Sequence, residues 1–361
     1  MRQLLTHQGR DSQHWRPLCN GCTDVDLNEK PDISVVIPTY NRGDHLRPLL
    51  EALLTQDARG VAYEILVVDN NSRDNSRAVV EEVRARDAHG RIQYLFEPRQ
   101  GVSYARNTGI THSRARIVAF LDDDGIPAPD WLYSMKQALD RYPKADCIGG
   151  RVRPIWTKPR PSWLDASHAG PVALQDRPEP QWVNRANASA CLITANLACR
   201  REIFDEVGVF SPDYPRNQDR ELEMRWWRAG KQGLYLPAMD VLVEIPEERL
   251  TKRYHRKWQA TTGKYHARLR FRDTVDSTGR LNDEEHKGRR LFGTPLFLYR
   301  EWFAHVVGWC KAALTNDTNR RFYHETRLWY FSSFFWTRFK TDALPRLTRG
   351  RSRRSSHAYP T

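Results

Sequence analysis

The sequence has 361 residues, of which 40% are hydrophobic and 28% charged. This composition supports a folded core and excludes a chain that is disordered throughout. The formal net charge of +13 favours anionic partners such as nucleic acid, an anionic membrane surface or phosphorylated substrates, without selecting among them. The six scattered cysteines do not form a disulfide framework, and Cys19 with Cys22 offers too few ligands for a zinc site.

The N-terminal residues 1–31 are polar and lack periodicity, which predicts a flexible leader. They contain no apolar segment of the kind found in a secretory signal. Near the C-terminus, no charge-free stretch approaches the roughly 20 residues of a membrane-spanning helix. The sequence therefore predicts a cytoplasmic protein that contacts a membrane at most through its surface.

Strand and helix patterns alternate from residue 33 to residue 149. An α/β fold follows, with a mostly parallel sheet and helices on both faces. In such sheets, ligands bind at the carboxyl ends of the strands. The predicted strands are 33–37, 63–68, 92–96, 117–121 and 145–149, and the helices that alternate with them include 75–86, 102–112 and 129–141.

The second half of the chain is less regular. Residues 153–188 predict a long ordered loop with three tryptophans, Trp156, Trp163 and Trp182, and long loops are usually functional. A helix near 217–229 and a strand near 233–236 follow.

We divide the chain by composition into a leader, a catalytic domain, a basic and aromatic C-terminal helical region, and an Arg/Ser-rich tail expected to be disordered. The corresponding ranges are 1–31, 32–248, 249–343 and 344–361.

Polar clusters follow three of the predicted strands, at residues 38–42, 69–72 and 122–124. Neither the dinucleotide-binding glycine fingerprint nor the phosphate-binding P-loop occurs in the sequence. A site for a phosphorylated ligand would therefore need another means of neutralising charge.

Three consecutive aspartates, Asp122 to Asp124, end the fourth strand. Carboxylates this close repel one another and raise one another's pKa. A divalent cation such as Mg²⁺ or Mn²⁺ would relieve the repulsion, because it prefers oxygen ligands and joins one or two carboxylates to substrate phosphates. A solvated acidic turn is the alternative reading of this run.

Taken together, the motifs closely resemble family 2 glycosyltransferases of the GT-A fold, from about residue 33 to residue 263. Six stretches carry the resemblance in order: VVIPTYNR (35–42), VVDNNSRDNS (67–76), GVSYARNTGI (101–110), FLDDDGIP (120–127), TANLACRR (194–201) and NQDRELEMRWWRAG (217–230).

The resemblance implies a binding site for a nucleotide-sugar donor. Asp69 is expected to accept a hydrogen bond from the base, and Arg106 to approach the donor and the aspartates. The other residues it assigns to donor binding are Pro38, Thr39, Tyr40, Arg42, Asn71, Asp122 and Asp123.

The same resemblance implies a metal site and a general base. Asp124 is the expected direct ligand of Mg²⁺ or Mn²⁺, and Asp122 the second member of the DxD pair. Asp219 matches the general base of inverting members, although Gln218 stands where Glu is usual. The usual metal-binding His is missing, which leaves Glu244 or His255 as candidates for the metal's remaining ligand.

The sequence thus predicts an inverting glycosyltransferase that moves a sugar from a nucleotide-diphosphate donor, with a UDP-sugar as the first choice, to a hydroxyl of a glycan or lipid-linked acceptor in cell-surface polysaccharide synthesis. The C-terminal aromatic and basic residues suit an anionic membrane surface, here the inner face of the plasma membrane, or else the protein core or a dimer interface. Nucleic acid is not expected as a partner, and the oligomeric state stays open. The alternatives are a nucleotide-sugar pyrophosphorylase and a non-catalytic basic binding protein.

Overall fold

The computed structural model describes residues 30–345. The predictions for the leader, for the Cys19/Cys22 pair and for the basic tail lie almost wholly outside the described residues.

One large sheet forms the centre of the molecule. Its strands are β1 (Ile33–Thr39), β2 (Tyr63–Asp69), β3 (Ile92–Phe96), β4 (Ile117–Leu121), β5 (Gly125–Pro127), β6 (Cys147–Trp156), β7 (Gln181–Val183), β8 (Asn196–Arg200) and β9 (Gly233–Ile245). A separate two-stranded ribbon consists of β10 (Arg290–Leu291) and β11 (Thr294–Pro295).

The helices of the first two thirds of the chain pack on this sheet. They are α1 (Gly43–Leu54), α2 (Ser76–Arg84), α3 (Val102–His112), α4 (Trp131–Arg141), α5 (Glu202–Val207) and α6 (Gln218–Arg228). The C-terminal helices are α7 (Lys252–Arg268), α8 (Phe271–Thr274), α9 (Leu296–Leu314) and α10 (Thr318–Arg338).

The strand order is β3-β2-β1-β4-β8-β6-β9-β5, with β7 paired to β9. The first four strands of this order run parallel, so the ends of β1, β2 and β4 meet at one edge of the sheet. Strand β8 is antiparallel to both of its neighbours, β4 and β6. This reversal brings the loop that precedes β8 to the edge where β4 ends.

Apolar side chains cover both faces of the sheet and form two separate clusters. On one face, Leu46, Leu49, Leu50 and Leu53 of α1 are buried at helical spacing. On the other face, α3 lies so close to β1 that a Cβ on Gly109 would come within 2.2 Å of Val36 Cγ1. The layered α/β fold predicted from the sequence is confirmed.

Two predictions about the second half of the chain need correction. The strand predicted at 233–236 continues to Ile245, with a register shift opposite Gly150/Arg151 that the sequence pattern does not reveal. The segment 153–188 is not a single loop, because β6 extends to Trp156 and β7 adds a short edge strand.

The C-terminal helices pack around α7. Helix α10 crosses α7 at Gly263, where an added Cβ would lie 2.1 Å from the Tyr330 carbonyl oxygen. Phe331 and Phe334 of α10 are buried, whereas Trp329 and Trp336 of the same helix are exposed. The aromatic residues of this region therefore divide between core and surface. Within residues 30–345, no helix is long and apolar enough to cross a membrane.

Candidate active site

The loops that follow β1 and β2 are joined to each other. The backbone N–H of Gly43 donates to Asp74 Oδ2 at 3.0 Å, and that of Arg73 donates to Asn41 Oδ1 at 2.8 Å. Gly43 has no room for a side chain, because a Cβ there would lie 2.0 Å from Asn75 Oδ1. Together these contacts hold the ends of two neighbouring strands as one polar surface.

Asp69 lies at the end of β2 and is buried. Its carboxylate accepts hydrogen bonds from the Tyr94 hydroxyl at 2.6 Å and from the Ser72 backbone N–H at 2.8 Å. Each oxygen keeps a second lone pair that can accept from a ligand. Asn71, two residues later in the chain, has a left-handed backbone with φ of 67°.

The end of β1 lies beside the aspartate run. Pro38 and Thr39 are buried, and Tyr40 is exposed at the edge of the site. The Thr39 hydroxyl donates to Asp123 Oδ2 at 2.9 Å, so Asp123 is not the simply exposed side chain that a solvated turn would give. Burial, with a smaller effect of neighbouring Asp124, raises the pKa of Asp123 to about 7.

Asp124 faces two arginines. Its Oδ2 lies 3.5 Å from Arg42 Nη1 and 3.6 Å from Arg249 Nη2, and its side chain is only 7% exposed. Burial and neighbouring Asp122 raise the pKa of Asp124, and the two arginines oppose this effect. The carboxylate of Asp124 is buried, and its two arginine partners lie near the limit of ion-pair distance. Such weakly held groups suit a site where a bound ligand replaces one ion pair by another.

Arg106 of α3 connects the aspartate run to α6. Its Nη2 donates to Asp122 Oδ1 at 3.0 Å, and its Nη1 lies 3.9 Å from Asp219 Oδ1. The guanidinium is buried over the ring of Phe210, with Nε and Nη1 lacking a hydrogen-bond partner in residues 30–345. One buried cation thus links the two carboxylates to which the sequence assigns donor binding and proton transfer.

Asp219 lies in the first turn of α6, where the helix dipole favours a negative charge. Its Oδ1 accepts a hydrogen bond from the buried Thr194 hydroxyl at 3.0 Å. Burial raises the pKa of Asp219, and both Arg106 and Thr194 oppose the rise. A carboxylate with a raised pKa is a stronger base than an exposed aspartate, as proton abstraction requires.

Glu223, one helical turn after Asp219, holds the preceding loop in place. Its Oε1 accepts a hydrogen bond from the Leu192 backbone N–H at 2.7 Å. Burial raises the pKa of Glu223 to about 7. Since Thr194 lies on this loop, Glu223 helps to position the hydroxyl that contacts Asp219.

The acidic residues suit a metal ion that is bound partly by protein carboxylates and partly by a substrate. They do not suit a metal ion that is coordinated by protein side chains alone. Within residues 30–345, no group of three or more His, Cys, Asp or Glu side chains converges. Mg²⁺ and Mn²⁺ sites that include substrate phosphates need only one or two carboxylates. Asp124, with Asp122 nearby, meets that requirement.

The two candidates for a further metal ligand differ in position. The pairing of Gly125 with Val243 places Glu244 across from Asp124 at the backbone level, and its side chain is exposed. His255 is instead buried among aromatic residues, and its Nε2 pairs with the Arg249 carbonyl oxygen at 3.0 Å. Burial lowers the pKa of His255 to about 4. His255 is thus enclosed by protein and Glu244 is exposed, and the choice of a further metal ligand stays a prediction.

A cavity of about 440 Å³ opens beside Asp219. Trp258 of α7 lines it, whereas Trp156, Trp163 and Trp182, the tryptophans singled out in the sequence, do not. Trp163 packs edge-on against His255, and Trp182 against Tyr142.

Four residues of the site were missed by the sequence reasoning: Thr194, Arg249, Trp258 and Tyr94. Thr194 begins the motif TANLACRR, so its place in a stretch that resembles the family could have marked it as a site residue. The other three are ordinary members of strands and helices, and only the fold brings them to the site.

Comparison with known proteins agrees with this geometry. The model of glycosyl transferase family 2 matches residues 34–208. Glycosyltransferase AglE of Haloferax volcanii is 31% identical over 181 residues, which are 50% of this chain and 56% of that protein. The chain thus spans little more than half the length of this relative. Succinoglycan biosynthesis protein ExoM of Rhizobium meliloti is 26% identical over 248 residues, 67% of this chain and 76% of that protein.

Among solved structures, the mannosyltransferase of Pyrobaculum calidifontis in complex with GDP-Man and Mn²⁺ is similar with a TM-score of 0.56. It is 18% identical, with 88% of this chain and 89% of that chain covered, so the likeness concerns the fold. The family match and the shared architecture agree with the strand-end motifs of the sequence. Residues 34–208 carry a domain of glycosyltransferase family 2, and the chain has the GT-A fold.

Proposed function

We propose that the chain is an inverting glycosyltransferase that transfers a sugar from a nucleoside-diphosphate donor, preferably a UDP-sugar, to a hydroxyl of a glycan or lipid-linked acceptor. The observation that carries the proposal is the position of Arg106, bonded to Asp122 and 3.9 Å from Asp219. The Arg106 guanidinium thereby lies between Asp122, which we assign to donor binding, and Asp219, which we assign to the acceptor.

In this proposal, the surface formed by the ends of β1 and β2 binds the nucleotide. Asp69 accepts from the base, with its carboxylate oriented by Tyr94 and Ser72. Pro38 and Thr39 end the neighbouring strand β1, where Thr39 pairs with Asp69, and the exposed ring of Tyr40 follows them. Arg42 and Asn71 complete the donor-binding set.

The diphosphate occupies the region between Arg106 and Asp124. Asp124 and Asp122 would hold Mg²⁺ or Mn²⁺, which supplies positive charge to the phosphates of the leaving group when bound. Arg106 adds a fixed cation in a buried setting, where charge stabilisation is stronger than in water. Arg42 and Arg249, which lie within ion-pair distance of Asp124, would turn to the phosphates when the donor binds.

Asp219 removes the proton from the acceptor hydroxyl as this oxygen attacks C1 of the donor sugar. The bond from C1 to the diphosphate oxygen breaks in the same step, and the nucleoside diphosphate leaves. A single displacement inverts the configuration at C1 and needs no covalent intermediate. Gln218 cannot take a proton, so Asp219 acts alone.

A panel of UDP-, dTDP- and GDP-sugars, each with and without Mn²⁺, tests the proposal. We expect metal-dependent release of nucleoside diphosphate from one of these donors. A pyrophosphorylase would instead need added pyrophosphate, with which it would convert the donor to nucleoside triphosphate and sugar 1-phosphate, and a non-catalytic binding protein would release no nucleotide product. Absence of both binding and turnover for every donor would refute the proposal.

Contact with an anionic membrane surface is part of the proposal. Apolar side chains spaced seven, four and seven residues apart form an exposed stripe along α9: Leu296, Phe303, Val307 and Leu314. On α10, Trp329 and Trp336 are exposed at a spacing of seven residues. Exposed basic residues flank these stripes: Arg300, Lys311, Arg320, Arg321 and Lys340. Aromatic residues beside cations are typical of helices that bind anionic bilayers from the inner face of the membrane.

Vesicle sedimentation tests this contact. We expect binding to phosphatidylglycerol vesicles, weaker binding to phosphatidylcholine, and a loss of binding in the double variant Phe303→Ser/Trp336→Ser. Phe96→Ser, which removes an equally exposed aromatic ring from β3, is the matched control. Membrane contact would be contradicted if the protein bound neither type of vesicle. It would also be contradicted if the protein formed dimers that depend on Phe303.

A further inference from the structure

Beyond the donor site, α7 borders three adjoining cavities. The cavity of about 440 Å³ contains Asp219 and Thr194 in its lining. A second, of about 170 Å³, is lined by residues that include Arg216 and Lys257. A third, of about 310 Å³, extends towards α10. Trp258 lines all three, so its ring stands where they meet.

The Trp258 ring has fewer aromatic contacts than Trp163 and Trp182, which pack against other aromatic rings. It stacks on no other aromatic ring, and its indole N–H has no hydrogen-bond partner in the described part of the chain. The backbone of Gly170 lies against its edge, where an added Cβ would come within 3.1 Å of Cη2. A half-buried indole with a free N–H is a suitable platform for one face of a sugar ring.

The second cavity is positively charged. Arg216 and Lys257 are exposed at its rim, and neither pairs with a carboxylate within residues 30–345. No Asp or Glu lines this cavity. Asn217 lines the same cavity, and its Nδ2 is buried without a hydrogen-bond acceptor in residues 30–345. Two unpaired cations with an unused donor beside them suit the binding of an oxyanion.

The positive site adjoins the reacting group directly. Arg216 and Asn217 line the second cavity and also the larger one that contains Asp219. A ligand whose hydroxyl reaches Asp219 would therefore extend into the second cavity along Trp258 and Arg216, which line both.

We propose that this cleft binds an anionic acceptor, in which a phosphate or carboxylate lies within about one sugar of the accepting hydroxyl. Trp258 supports the sugar ring, Arg216 and Lys257 bind the oxyanion, and Asn217 donates to it. The inference rests on the proposed function and adds the charge of the acceptor. A diphosphate linked to a lipid and a uronic acid carboxylate share this chemistry.

Equilibrium binding to three decyl glycosides tests the proposal, with saturating donor nucleotide present to occupy the donor phosphate site. The probes are decyl glucoside, which is neutral, decyl glucuronide, which carries a carboxylate, and decyl diphosphate glucose. We expect at least one charged probe to bind about tenfold or more tightly than the neutral one. Which charged probe binds tighter distinguishes the two sources of the anion.

Variants assign the effect to named residues. Arg216→Ala/Lys257→Ala should abolish the preference for the charged probe, and Trp258→Ala should weaken binding of all three probes. Arg253→Ala/Lys264→Ala removes two exposed charges from α7 outside these cavities and should retain the preference. Each variant should bind the donor nucleotide as the wild type does.

Equal affinity for charged and neutral probes, no binding of any probe, or an unchanged preference in Arg216→Ala/Lys257→Ala would overturn the proposal. Donor nucleotide binding is measured separately in the same samples. A wild-type protein that fails to bind any donor nucleotide would instead refute the proposed function.

Discussion

The hydrogen bond from Thr194 to Asp219 offers a sharp test of the base assignment. Thr194→Val keeps the volume of the buried side chain and removes only the hydroxyl that donates to Asp219 Oδ1 at 3.0 Å. This hydrogen bond stabilises the charged carboxylate, so its loss raises the pKa of Asp219 further in the direction already set by burial. A hydrogen bond to a charged group contributes about 1.5 kcal/mol, equivalent to roughly a tenfold smaller deprotonated fraction at a fixed acidic pH.

A base works only when deprotonated, so the acid limb of the rate profile should move to higher pH in Thr194→Val. We expect about tenfold slower transfer on that limb and convergence with the wild type at alkaline pH. The assay is the pH dependence of transfer from the donor that the panel identifies, with calorimetry to follow nucleotide binding. Thr194→Ser retains the hydroxyl and serves as control. Superimposed profiles, or a uniform loss at every pH, would refute the reasoning.

Three further predictions concern the metal site, the fold and a buried acid. Asp124→Asn should weaken the apparent Mn²⁺ affinity in donor turnover by at least roughly tenfold, because even the loss of an outer-shell partner weakens metal binding by that factor. An unchanged Mn²⁺ titration would contradict the role of Asp124. Gly263→Ala should lower the free energy of unfolding in urea by about 1–3 kcal/mol, because its Cβ meets the Tyr330 carbonyl, whereas exposed Lys264→Ala should change little. Burial raises the pKa of Glu223 to about 7, above its value in the unfolded chain, so the contribution of Glu223 to the free energy of unfolding falls as pH rises towards 7. Glu223→Gln removes this dependence, and its urea midpoint relative to the wild type should increase between pH 5 and pH 8.

Much of the sheet was predictable because local patterns determine it. β1 and β2 are mostly apolar and buried throughout, and such runs are visible in the sequence. Their polar ends were predicted to lie together for the same reason, since parallel strands end at one edge. Asp69 and Asp122 therefore fell within the site without any knowledge of their contacts.

The remaining features depend on contacts between distant parts of the chain. The extension of β9 to Ile245 follows from pairing with β6 and β5 rather than from its own alternation. Trp258 lies on a helix whose pattern resembles any half-buried helix, and its place in the cleft depends on where α10 holds α7. His255 looked like a ligand candidate because an isolated histidine gives no sign of the aromatic cluster that encloses it.

The contact between Arg106 and the two carboxylates was anticipated only in part. The resemblance implied that Arg106 approaches the aspartates, and the structure adds that it also lies near Asp219. That second contact needs the antiparallel strand β8, which returns the chain to the end of β4. The topology of the fold, rather than the local sequence, thus brings Asp122 and Asp219 to the two sides of Arg106.

The most direct test of the central claim compares Asp219→Asn with the wild type for nucleotide binding and for sugar transfer. The variant keeps the shape of the side chain but cannot accept the acceptor's proton. We predict an unchanged dissociation constant for the donor nucleotide, within about twofold, and a loss of transfer of at least the roughly 10² to 10⁴ typical of a general base. Loss of nucleotide binding would reassign Asp219 to the donor site, and transfer at near wild-type rates would show that another group removes the proton.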